Sequence, residues 1–253
     1  MKEKIEQLIV GYVADYPGEE GTKTNWKTPL VAYADADDPL FSELKEVVSP
    51  SHALPEDFLP EPRTVIAYFI PFQESVAESN IEGKKASREW AVAYVETNRL
   101  IHDLNSYIGE EVDKLGYRST IIPATHNFDE ERLISDWSHK HVAYVAGLGK
   151  FGLHNMLITE KGCAGRVGTI VTDLPAEPTA GSEGENCLYR ADGSCTQCVQ
   201  RCVNGSLEEQ SYDRESCYSM CLSNEKLHSD LELADVCGKC AVGVPCSFTA
   251  PVG

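Results

Sequence analysis

The chain has 253 residues, 42% of them hydrophobic, and a formal net charge of −18. This length fits one large domain or a core with a small appendage. No apolar run approaches the ~20 residues that span a bilayer, and the charged start from Met1 to Leu8 lacks the apolar stretch of a signal peptide. A strongly acidic surface without a visible basic patch repels phosphate backbones, so neither membrane nor nucleic acid is an expected partner, and a cytoplasmic location is expected.

In chain order, Ile5, Leu8, Ile9, Tyr12 and Val13 recur at helical spacing and predict a first helix over 1–14. Tyr16 to Thr28, rich in Gly, Glu and Lys, reads as a loop, followed by a short apolar run from Pro29 to Asp35 and a short helix from Leu40 to Val48. Pro50, Pro55, Pro60 and Pro62 make the next stretch irregular. Thr64 to Pro71 is β-branched and aromatic with both faces apolar, the pattern of a central buried strand. From Ser87 to Leu115, apolar side chains between Trp90 and Leu115 step by three and four, giving the longest helix, with Gly116 as its C-cap. Ser119 to Pro123, Met156 to Thr159 and Val167 to Thr172 are strand candidates, and Ser138 to Val145 is helical. Pro175 to Glu185 is the best linker. It separates an α/β (α+β) core over 1–185 from a cysteine-rich segment over 186–253.

All but one of the ten cysteines lie in that segment, as Cys187, Cys195-x2-Cys198-x3-Cys202, Cys217-x3-Cys221 and Cys237-x2-Cys240-x5-Cys246. In a cytosolic chain, clustered thiols read as metal ligands rather than disulfides. Two CxxC units, each with a further cysteine downstream, suit two [4Fe–4S] clusters, because the last cysteine of one run commonly ligates the other run's cluster. On that logic Cys187, Cys195, Cys198 and Cys246 form one set, and Cys202, Cys217, Cys237 and Cys240 the other. Cys221 could replace Cys217, since both lie on one face of a probable helix. Structural zinc is the plainer alternative. Its two CxxC pairs would be separated by 38 residues, against ~15–20 in a zinc ribbon, and it would leave five cysteines of the segment without a role.

Gly147-Leu148-Gly149-Lys-Phe-Gly152 matches G-x-G-x-x-G, but a helix precedes it and strand-like or irregular chain follows, the reverse of a dinucleotide fingerprint. The glycines would let backbone approach a flat ligand closely, or would form a helix cap and a tight turn. Arg166 could pair with a phosphate or propionate of a cofactor, or form an internal salt bridge.

The run from Ala146 to Gly152, then Leu157-Ile-Thr-Glu-Lys-Gly162, Gly165 to Asp173 and the paired cysteine runs, resembles epoxyqueuosine reductase and the related reductive dehalogenases over roughly residues 60–248. Asp213 to Ser219 matches that family's lone cysteine between the two runs, which selects Cys217. Trp137-Ser-x-x-His141 and Cys237-Gly-Lys-Cys240 resemble a shorter branch. The resemblance implies a nitroreductase-like three-layer core that binds cobalamin and a ferredoxin-like module with two [4Fe–4S] clusters. It also implies reductive chemistry at an electron-poor carbon, with a protein acid supplying a proton. The family's Asp-x-x-Pro-x-x-Glu-Arg signature is missing: its Glu-Arg pair falls on His139 and Lys140, and its aspartate on Leu133, three residues from Asp136. No counterpart of the helical-repeat domain that grips tRNA in the family follows Cys246, so a small-molecule substrate is expected in place of tRNA. Asp136, His141 and Tyr144, just before the glycine run, are the candidate acids. The alternative is an electron-transfer protein whose clusters serve a redox partner, or a core that holds a flavin. An N-terminal Arg/Ser cluster for a flavin phosphate is lacking.

Overall fold

A computed structural model describes residues 1–124 and 127–252. Its elements are α1 (Lys2–Glu20), β1 (Leu30–Asp35), α2 (Leu40–Val47), α3 (Pro55–Phe58), β2 (Thr64–Pro71), α4 (Glu74–Ser79), α5 (Arg88–Lys114), β3 (Ser119–Ile121), α6 (His139–Val145), β4 (Lys150–Phe151), β5 (Leu157–Ile158), β6 (Gly165–Thr172), α7 (Leu188–Asp192), α8 (Gln197–Gln200) and α9 (Arg214–Leu227), with a 3-10 turn over Lys239–Ala241.

The main sheet has the order β1-β2-β6-β3, with every pairing antiparallel. All eight residues of β2 are buried, as expected for a central strand covered on both faces. Successive side chains of a strand point to opposite faces, and β2 divides accordingly. Ile66, Tyr68 and Ile70 join the apolar cluster formed with α1 and α5, while Val65, Ala67 and Phe69 join the one formed with α2 and α6. The core is therefore three-layered, with the sheet between two helical layers.

The long helix α5 follows its sequence signals. Ser87 is the N-cap, its hydroxyl accepting from Trp90 N at 3.1 Å, and Gly116 just past the end is left-handed at φ 84°. The loop expected from Tyr16 onward is instead the last turn of α1, which runs through Pro17 to Glu20 and ends at left-handed Gly21. Tertiary contact overrides the turn-like composition there. Tyr16 is buried, donates its hydroxyl to Asp103 of α5 at 2.6 Å and meets Trp26 edge-on. The stretch over 175–185 has no regular structure, yet Thr179 is tied to β1: its N–H donates to Tyr33 O at 2.8 Å and its Oγ1 accepts from Tyr33 N at 3.0 Å. Among the described residues, no helix is long and apolar enough to cross a membrane.

Candidate functional site

The cysteine-rich segment folds back over β5, β6 and the N-terminal half of α5, and its thiols gather around two cavities. The first, about 20 Å3, is lined by Cys187, Cys195, Cys198 and Cys246 together with His154. Cys187 stands at the N-cap of α7, left-handed Gly193 turns the chain toward Cys195, and Cys198 lies in α8. Cys246 is brought in by its backbone, whose carbonyl accepts from Cys163 N at 3.0 Å. Burial pushes the Cys198 thiol up to about 12, and the neighbouring Cys246, Cys187 and Cys195 add to the shift.

The second cavity, about 210 Å3, is lined by Cys202, Cys217, Cys237 and Cys240 together with Trp90, Tyr94 and Arg166 of the core. Burial raises the Cys240 thiol, and Cys237 and Cys217 raise it further. Cys221 also lines this cavity. Hydrogen bonding from the Cys221 thiol and then from the Tyr212 hydroxyl holds the Cys217 pKa down. Gly238, between Cys237 and Cys240, is left-handed at φ 69°, and an added Cβ would run into the Trp90 indole.

Arg166 lies with its guanidinium carbon 4.2 Å from the centre of the Tyr94 ring, and Tyr94 in turn donates to Asp235 at 2.6 Å. Two buried N–H groups of the cavity wall, Arg166 Nε and Trp90 Nε1, have no hydrogen-bond partner. Buried donors in this condition are costly unless something supplies an acceptor.

The other residues singled out in the sequence lie away from this cavity. Gly147 is the left-handed residue after α6, at φ 78°. A Cβ on Gly149 would strike the Ile158 carbonyl across the β4–β5 hairpin, and one on Gly152 would lie 2.7 Å from His154 Cε1. Leu148 is a buried member of the cluster beneath α6. The glycines thus serve a helix cap and a tight hairpin, and neither they nor Leu148 line the cavity.

Asp136, His141 and Tyr144 are not among its lining residues either. Asp136 accepts from the Ser51 hydroxyl at 2.6 Å, and Ser138 stands at the N-cap of α6. His141 Nδ1 lies 2.7 Å from Ser138 Oγ, and Phe151 of β4 contacts both its ring and that of Tyr144. Burial, with Lys140 adding to it, pushes the His141 pKa down to about 4.

Three further groups were not singled out as site residues. Buried His154 lies between the cavities. Tyr212 lines the second, and Lys140 interacts electrostatically with Cys217 and Cys240. No spacing rule marks His154 or Tyr212, because folding alone brings them to the thiols. Lys140 had a signal, since it takes the family's arginine position.

No protein-family model matches the chain. It is 27% identical over 176 residues to an epoxyqueuosine reductase of Listeria monocytogenes, a match that covers 66% of this chain and 42% of the relative. Among solved structures, it is similar to an epoxyqueuosine reductase from Streptococcus thermophilus with a TM-score of 0.54 and 15% identity, covering 90% of this chain and 63% of that one. It is similar also to a catabolic reductive dehalogenase with a TM-score of 0.53 and 13% identity, over 74% of this chain and 26% of that one. The chain thus spans less than two thirds of the length of each of these relatives. The comparisons bear out the resemblance read from the sequence, and the structural likenesses show a shared fold. These relatives give no support to the exclusion of nucleic acid made from net charge.

Proposed function

We propose that the chain is an iron–sulfur reductase carrying two [4Fe–4S] clusters beside a core cavity that takes cobalamin. The observation that supports this reading is that the cysteines of the first expected set all line one cavity and those of the second all line the other, where Cys163 and Cys221 join them. Thiols converging at each place are the donor set of a cluster, and the resemblance selects Cys217 over Cys221 as the fourth ligand of the second. Cys202, Cys217, Cys237 and Cys240 share this cavity with Trp90, Tyr94 and Arg166, so a ligand bound there would sit close to the cluster these thiols hold. Trp90 Nε1 and Arg166 Nε, without partners, suit the carbonyl-bearing side chains of a corrinoid.

Bound there, cobalamin would supply a low-potential centre for reducing an electron-poor carbon. The chain's own part is to position it and deliver electrons. Tyr94 and the Asp235 carboxylate it donates to hold the face over which Arg166 lies. Met156 and Met220 give the same cavity apolar walls. Tyr212 lines the cavity beside Cys217, and its proton is retained: burial and then the hydrogen bond to Cys217 raise its pKa. It is a better-placed proton donor than Asp136, His141 or Tyr144.

A second reading, an electron-transfer protein serving a partner's cofactor, is favoured by one observation: all three acids of the sequence reading lie off the cavity. Anaerobic EPR of cluster-reconstituted protein titrated with cob(II)alamin separates the two. Stoichiometric conversion to a bound, base-off signal supports the reductase. A free-cobalamin spectrum beside intact, reducible clusters would move the assignment to electron transfer.

A further inference from the structure

Among the described residues, His154 is the only one that lines both cavities. It is 4% exposed, so its ring nitrogens cannot turn to water for partners. Met156 N donates to Nδ1 at 3.1 Å. A nitrogen that accepts carries no proton, so the one N–H of the neutral imidazole is on Nε2. Nε2 lies 3.3 Å from Cys246 Sγ and 3.5 Å from Cys163 Sγ. The ring is fixed in that pose from behind by Gly152, where any Cβ would collide with Cε1. The third glycine of the run is therefore a seat for this imidazole. Cys163, buried on the cavity side of His154, has its sulfur within 3.7 Å of the Ala241 carbonyl and is not one of the eight thiols of the two sets.

We infer that His154 donates its Nε2–H to the sulfur of Cys246 and thereby sets the reduction potential of the cluster held by Cys187, Cys195, Cys198 and Cys246, as a positioning residue between the two redox centres. The inference rests on the two-cluster reading. Reducing a [4Fe–4S] cluster from the 2+ to the 1+ state adds one electron and makes the ligand sulfurs more electron-rich. A donor aimed at one of them therefore stabilises the reduced form more than the oxidised form. Hydrogen bonds to sulfur are among the levers that set cluster potentials. Removing the donor should make this cluster harder to reduce, and the other should stay as it was.

The test is an EPR-monitored potentiometric titration, with dithionite as the electron source, of the full cluster-loaded chain and of His154→Phe and His154→Gln. The phenylalanine keeps a flat ring without an N–H, and the glutamine restores a donor. Expected is a roughly tenfold less favourable reduction of one cluster in H154F, equivalent to about 59 mV for one electron, with partial return in H154Q and no change at the second cluster. An unchanged potential in H154F would overturn the inference. So would loss of one cluster from both variants, which would make His154 a ligand. In wild-type protein grown with 15N-histidine, pulsed EPR of the reduced cluster should show a weak nitrogen coupling typical of a hydrogen bond. A strong coupling, or none, also overturns the inference, whatever the variants' folding. A wild-type chain that takes up fewer than two clusters fails at an earlier step: it overturns the two-cluster reading itself, and this inference with it.

Discussion

Two glycines show how differently one residue type can act here. Gly11 lies inside α1 with nothing within 4 Å of an added Cβ, whereas Gly238 is left-handed at φ 69° and backed by the Trp90 indole. Gly11→Ala should stabilise by roughly 0.5–1 kcal/mol, because it removes freedom only from the unfolded chain and raises helix propensity. Gly238→Ala should cost roughly 2–4 kcal/mol, the sum of the left-handed penalty and overpacking. Anaerobic thermal melts of both variants check this: Tm should rise for G11A and fall by roughly 5–15 °C for G238A. Histidine gives the pH dependence. Burial lowers the pKa of His52, and that of His141 falls to about 4. In the unfolded chain both bind protons near pH ~6.5. Their neutral forms therefore add stability that is fully present above that value and is lost as pH falls toward 4, since the unfolded state takes up protons that the folded state refuses. Melts from pH 7 to pH 5 should show a declining Tm, with a shallower decline in His141→Phe. An equal slope in that variant would remove His141 from the account.

At the scale of elements, α9 is held against the start of α5 by one buried amide. Asn224 Oδ1 accepts from Ala86 N at 3.2 Å, and its Nδ2 donates to Val236 O at 2.8 Å. Asn224→Ala leaves both backbone groups buried without that partner and should cost roughly 2–4 kcal/mol. It should also loosen Cys217 and Cys221 on the same helix, seen as a lower Tm and faster loss of cluster absorbance in the presence of a chelator. The elements themselves were legible where local signals agreed. β2 was readable from its β-branched and aromatic run, and α5 from its apolar stripe, Ser87 and Gly116, because neither depends on distant partners. The end of α1 was not, since Tyr16 is kept helical by Asp103, far away in sequence, and by Trp26 beyond the helix. The site divides in the same way. That the cysteines would gather was legible, because the repeated CxxC spacing signals ligand sets, and the thiols do line two cavities. The role of the glycine run was not, because G-x-G-x-x-G tells only that backbone comes close to something. That something is β5 and His154. Tyr212 and His154 matter through position alone, and no periodicity records position.

The whole molecule is more closely joined than a core with an appended module. Composition changes near residue 186, yet the hydrogen bonds cross that boundary repeatedly. Lys239, 1% exposed, donates from Nζ to the Asn80 and Glu82 carbonyls at 2.8 and 2.7 Å, and Asn80 Nδ2 returns a bond to Cys237 O at 2.9 Å. His228 Nε2 lies 3.0 Å from Ala86 O. Apolar contact is shared as well. Val242 belongs to the main core cluster, and the small cluster around the thiols takes Leu153, Ile158 and Cys163 from the other side of the boundary. A segment of this size alone has too little apolar surface to fold without such support or metal. The first cluster set also depends on the Cys163 backbone to carry Cys246 into place. Residues 186–253 expressed alone should therefore bind iron and sulfide incompletely and lack a cooperative melt, while the full chain reconstitutes both clusters. The comparison is of iron content per chain and of thermal unfolding, made anaerobically on the two proteins side by side. A fragment that holds both clusters at wild-type potentials would show that the thiols organise themselves. The hydrogen bonds from Lys239, Asn80 and His228 would then serve only to dock a finished module onto the core.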